Sequence, residues 1–233
     1  MAQPLPYPQP AGYERAAVAT TVERNRVLRN TYWLLALSMV PTVLGAWIGV
    51  ATGFAQVLTP GIGLIVFLAG AFGFMFAIEK TKNSAAGVPM LLGFTFFMGL
   101  MLSRLLAFVL GRDGGAALIM TAFAGTGVAF VSMAMLSTLI KRDLSTMGKF
   151  LSIGAVMLLV AIVLNLFVQS SALFVTIAVL MVGIFSAFIV YDQKRVRDGL
   201  ETNYLSATLS IYLDLYNIFQ ALLSLLGFAG SRD

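Results

Sequence analysis

The sequence predicts an all-α membrane protein, a seven-transmembrane-helix bundle, and three observations carry that reading. Of 233 residues, 59% are hydrophobic and only 11% charged, with a mean hydropathy of +0.92. A soluble domain of that size needs more polar surface. The apolar residues form seven runs, each about 20 residues or more, the length that spans roughly 30 Å of hydrocarbon at 1.5 Å per residue. The cations gather in alternate links between those runs. That placement explains the net charge of +5 as topology, with no nucleic-acid partner implied.

Residues 1–30 read as a cytosolic tail, Pro-rich at Pro4, Pro6, Pro8 and Pro10, disordered at first and helical from about Val18. No apolar run precedes Thr31, so the segment does not resemble a cleavable signal. The transmembrane domain is expected over 31–229, with spans near 31–51, 60–79, 88–110, 115–139, 148–168, 171–192 and 204–228. The first break, Thr59-Pro60-Gly61, carries turn chemistry. Lys82-Asn83-Ser84 separates the second and third spans, and Gly111-Arg112-Asp113-Gly114-Gly115 separates the third and fourth. Lys141-Arg142-Asp143 precedes the fifth span. Gln169-Ser170-Ser171 is so short that the fifth and sixth spans must form a helical hairpin, with Asn165 and Gln169 capping the turn. Asp198-Gly199 leads into the seventh span, and 230–233 form a short external tail.

Twelve cations, among them Arg24, Arg26, Lys80, Lys149 and Arg195, lie on one side of this arrangement. Only Arg112 and Arg232 lie on the other, and Arg104 falls within the third span. The positive-inside rule then puts the N-terminus in the cytosol, and seven crossings put the C-terminus outside. Small residues such as Gly70, Gly73, Gly93 and Gly99 let helix backbones approach in lipid and suggest a compact monomeric bundle. The spacing of Gly49 and Gly53 offers a dimer face as the alternative.

Two acids stand out because each sits in or against an apolar span. A charged group at the bilayer centre costs at least about 2.5–3.5 kcal/mol, so Asp192 and Asp214 are functional candidates by default. The seventh span carries Asn203, Ser206, Ser210, Asp214 and Asn217 at steps of three and four, which places them on one helix face. Such a face turns toward neighbouring helices or a wet cavity. Residues equidistant from the turn around Asn203 lie level, so the two carboxylates are expected close in height and to share one proton near neutral or mildly acidic pH. Losing that proton should repel the two helices. Deprotonated, Asp192 and Asp214 offer hard oxygens to calcium, yet two carboxylates fall short of a tight site, and transient binding fits better.

Other readings stand beside these. Asp192 also reads as an interfacial residue paired with Lys194 or Arg195, and Asp214 as a structural hydrogen-bonding group. Arg104 is either a counter-ion for the acids or a side chain snorkelling to the outer face. Tyr191, Tyr204, Tyr212 and Tyr216 read as packing or interfacial aromatics. With no cysteine and no histidine, the usual thiolate and imidazole chemistry is excluded, and no cofactor is expected.

The segments Lys141-Arg142-Asp143-Leu144-Ser145, Tyr191-Asp192 and the run from Ala207 to Phe219 resemble the Bax inhibitor-1 family in its bacterial branch. The resemblance covers about 200 residues. It implies a seven-helix fold with one central helix, in the bacterial inner membrane, and a pH-sensitive calcium leak gated by an aspartate pair that matches Asp192 and Asp214. Two departures are visible. Some relatives carry an acid within the second helix, where 60–78 here holds no charge. Some have an arginine at its cytosolic end that bonds the sixth-helix aspartate, where this chain reads Glu79-Lys80, leaving Lys80 as the substitute. Arg104 stands where relatives commonly have proline.

The resemblance also implies a second function. Some bacterial members modulate a membrane-anchored ATP-dependent protease through the cytosolic tail, and the exposed 1–30 segment fits that role. A third reading, an intramembrane aspartyl protease, lacks the glycine-flanked second aspartate, because Leu213 and Leu215 flank Asp214. An enzyme is therefore not expected.

Overall fold

The structure, a computed structural model, describes residues 11–229. The Pro-rich start of the tail and the external tail expected at 230–233 lie outside the described residues. The elements are α1 (Ala11–Thr52), a single turn α2 (Phe54–Val57), α3 (Pro60–Thr81), α4 (Gly87–Leu110), α5 (Gly115–Leu139), α6 (Ser145–Val168), α7 (Ser171–Arg197) and α8 (Tyr204–Ala229). All but α2 include a stretch long and apolar enough to cross a membrane, seven in all, and no strand occurs among the described residues.

The breaks form where the local chemistry demands. Thr59 caps α3, its hydroxyl accepting from the Ile62 N–H at 3.5 Å, with Pro60 opening the helix. Gln169 adopts a left-handed conformation (φ 51°) that ends α6, while the Asn165 carboxamide accepts from the Ser170 N–H at 3.0 Å. Ser170 in turn caps α7 through the Leu173 N–H. The helix at the N-terminal end runs further than the sequence suggests. Alpha-helical structure begins at Ala11, not near Val18, because nothing between the two interrupts it and no apolar period is needed to continue a helix already nucleated.

The central helix is α8, which packs against α1, α3, α4, α5 and α7. Its neighbours α1, α3 and α4 meet it around a core of Leu34, Ile78, Leu91, Phe94, Met98, Leu205, Ile211 and Tyr212, all buried. The outer surface is apolar, carrying exposed Trp33, Trp47, Phe72, Phe150 and Phe167, as expected of a molecule whose solvent at that depth is lipid.

The closest helix pair is α1 with α4. A Cβ at Gly45 would collide with the Phe96 carbonyl, and one at Gly99 with the Thr42 carbonyl, so these glycines let the two backbones touch. Gly49 faces Ser103 in the same crossing. Gly49 is thus used within the chain, against α4, while Gly53 sits in a left-handed turn with open space around it.

Candidate functional site

The end of the bundle where α7 stops and α8 starts holds most of the predicted site. Asp192 lies within the last turns of α7, 8% exposed, and Asp214 lies ten residues into α8, 4% exposed. No hydrogen bond joins them among the described residues. Oδ1 of Asp192 instead faces Nη1 of Arg195, one turn along the same helix, at 3.9 Å. That separation is an ion pair, too long for a hydrogen bond. Oδ2 of Asp214 is buried and has no partner.

Arg195 occupies a junction. Its Nη2 lies 3.7 Å from Glu201 Oε2, its guanidinium stands 5.6 Å from the centre of the Tyr191 ring, and its backbone carbonyl accepts from the Leu200 and Glu201 N–H groups. Tyr191 is itself pressed against α6 at Gly148, where a Cβ would strike the ring. Lys194, buried in the same turn, pairs with Asp198 at 2.5 Å. The cation beside Asp192 is therefore Arg195. Lys80 is exposed and stacks over the Phe76 ring at 4.5 Å, while Lys82 pairs with Glu79.

The polar stripe of the seventh span divides by role. Asn203 caps α8, its Oδ1 accepting from the Leu205 and Ser206 N–H groups at 2.9 and 3.2 Å. Its Nδ2 donates to the Lys82 carbonyl and to Asn83 Oδ1, so the same side chain clasps the link between α3 and α4. Ser206 and Ser210 are half-buried. Asn217 Nδ2 donates to the Leu213 carbonyl of its own helix at 2.8 Å. Arg104 lies at the opposite end of the bundle, exposed, with Nη1 donating to the Leu58 carbonyl at 3.3 Å. Of its two readings, the snorkelling side chain matches this position.

Sequence reasoning missed the hydroxyl contacts of α8. Tyr212 Oη lies 2.9 Å from Thr42 Oγ1 on α1, and Tyr216 Oη donates to the Met98 carbonyl on α4 at 3.2 Å. Thr208 Oγ1 donates to the Thr31 carbonyl of α1 at 3.3 Å. A tyrosine in the middle of a membrane span needs a partner for its hydroxyl, and that is the signal that would have found them. Among the described residues no group of three or more His, Cys, Asp or Glu side chains gathers as a metal site.

These features define a helical membrane protein organised around one central span, with two buried acids where that span meets its neighbour. Comparison with known proteins narrows the class. Residues 24–231 match the family model described as inhibitor of apoptosis-promoting Bax1, and the chain belongs to that family, the Bax inhibitor-1 family. It is 36% identical to the modulator of FtsH protease YccA of Escherichia coli K12, over 96% of this chain and 97% of that one. The inner membrane protein YccA of Escherichia coli CFT073 matches at the same identity and coverage. A membrane protein of Vibrio cholerae is 34% identical over 94% of this chain and 96% of its own.

Proposed function

We propose that this protein is a regulatory protein of the bacterial inner membrane that modulates a membrane-anchored ATP-dependent protease of the FtsH kind through its N-terminal segment. The observation that carries this reading is the near full-length similarity to a relative named as a modulator of that protease. Geometry adds support. Helix α1 has 42 residues, about 63 Å at 1.5 Å per residue, roughly twice the hydrocarbon thickness. The excess lies before Thr31, where residues 21–26 are exposed, on the side to which the charge rule assigns the cytosol. An accessible N-terminal extension is what a processive protease can engage. The test is to co-produce the protein with FtsH and follow decay of a membrane substrate. The full chain should change the half-life of the substrate, and a chain lacking residues 2–25 should not. An equal effect of both forms would sink the role of the tail.

A second reading rests on the buried acids. Asp214 Oδ2 sits in the membrane-spanning part of the central helix with no partner, and Asp192 is a second buried acid on the adjoining helix α7. Such a pair supports a proton-gated cation leak with calcium as the cargo. Neither acid is bonded to the other, so a proton gained or lost changes the force between α7 and α8 directly. Purified protein in liposomes should pass Ca²⁺ with a rate that changes between pH 6 and pH 8, and Asp192→Asn or Asp214→Asn should remove the pH dependence. No flux above empty liposomes at any pH would end this reading. The two readings separate cleanly, because a leak should survive deletion of residues 2–25.

A further inference from the structure

Between the N-terminal part of α1 and the link joining α7 to α8 lies an open groove of about 600 Å³. Its α1 wall carries Glu23, Arg24, Arg26 and Asn30, and its opposite wall carries Asp198 and Glu201. The opposite wall is already neutralised from within. Asp198 meets Lys194 at 2.5 Å and Arg197 at 3.6 Å, and Glu201 meets Arg195 at 3.7 Å. Glu201 also accepts from the Asn203 N–H at 2.9 Å, which fixes its carboxylate toward the chain. On the α1 wall, Arg24 and Arg26 make no ion pair among the described residues, and Glu23 is the single acid beside them. The groove therefore has an excess of uncommitted positive charge. A cation would find its two loop carboxylates occupied.

Depth identifies the ligand. The apolar run of α1 starts at Thr31, so Arg26 stands about 8 Å and Arg24 about 10 Å above the hydrocarbon edge at 1.5 Å per residue. The headgroup layer on each side is about 5–7 Å deep, and a long arginine side chain reaches down into it. Both guanidinium groups thus come to the level of lipid phosphates. Arginine also presents a planar fork of donors that matches a phosphate. We propose that this groove is a binding site for the phosphate of an anionic phospholipid, held by Arg24 and Arg26, with the Asn30 amide as a further donor. Bound there, the lipid joins the N-terminal part of α1 to the α7–α8 link, above the bond between Tyr32 and Gln193 that ties α1 to α7.

The experiment uses the full chain in mild detergent, offered equal amounts of phosphatidylglycerol and phosphatidylcholine, with the retained lipid counted by native mass spectrometry. Wild type should prefer phosphatidylglycerol about fivefold, the scale set by an arginine near an anionic surface. Arg24→Gln with Arg26→Gln should abolish that preference. Arg29→Gln with Lys149→Gln, which removes two exposed cations outside the groove, should keep it. Equal loss in both double variants would mean a diffuse surface charge and would overturn the site. So would the absence of any preference in wild type. Displacement of the lipid by inorganic phosphate alone would overturn the lipid assignment and leave a free-phosphate site.

Discussion

At the scale of single residues, the buried polar groups of α8 separate into those that hold the bundle and one that does not. Tyr212 has its hydroxyl between α1 and α8, 2.9 Å from Thr42, and it is fully enclosed beside Phe94. Removing that hydroxyl leaves Thr42 with its bond to the Ser38 carbonyl alone. Tyr212→Phe should therefore lower stability by about 0.5–1.5 kcal/mol, read as a lower Tm in detergent. Asp214 should behave in the opposite way. Its Oδ2 has no partner to lose, so the isosteric Asp214→Asn should melt at or above the wild type at neutral pH. A marked fall in Tm for Asp214→Asn would make the acid a structural group. The sequence exposed Asp214 because an acid inside an apolar run is conspicuous by type. It could not expose Tyr212 in the same way, since a tyrosine is as common at the edge of a membrane as within it. Nor could it choose among Lys80, Lys194 and Arg195 as the cation beside Asp192, because side-chain direction at a helix end depends on packing. The contact of Tyr191 with Gly148 helps turn Arg195 toward Asp192 and Glu201.

At the scale of elements, most span boundaries were legible to within a few residues, the start of α1 excepted, because lipid forces every backbone group into a helix and apolar length then marks each crossing. Pairing was not legible. Glycine density says that some backbones approach closely, without saying which. The structure answers with α1 against α4, where Gly45, Gly49 and Gly99 meet Phe96, Ser103 and Thr42. At two of these three glycines the obstacle is a backbone carbonyl, which cannot rotate aside as a side chain can. Gly99→Ala should cost about 1–3 kcal/mol through forced separation of the two helices. Gly73→Ala, on α3 with open space where the Cβ would stand, should be close to neutral. Comparing the two Tm values tests the crossing, and equal values would mean that α1 and α4 are not held this closely.

At the scale of the whole molecule, orientation is the property on which the protease-modulator reading depends, and it rests on charge asymmetry. The link between α7 and α8 lies on the side rich in cations, and the link between α4 and α5 lies on the side that is poor in them. The chain contains no cysteine, so each introduced thiol reports one position without background. Leu200 is 67% exposed in the first of these links, and Asp113 is exposed in the second. In intact cells, a maleimide that cannot cross the inner membrane should label Asp113→Cys and leave Leu200→Cys unmodified until the membrane is opened. The groove beside Leu200, the N-terminal part of α1 and the Arg195 junction would then all face the cytosol, where an ATP-dependent protease and its ATP are found. Labelling in the reverse order would place the N-terminal segment outside and remove the tail from reach of such a protease. The buried acids would be unaffected by that result, since a passive leak between two compartments works with the bundle in either direction.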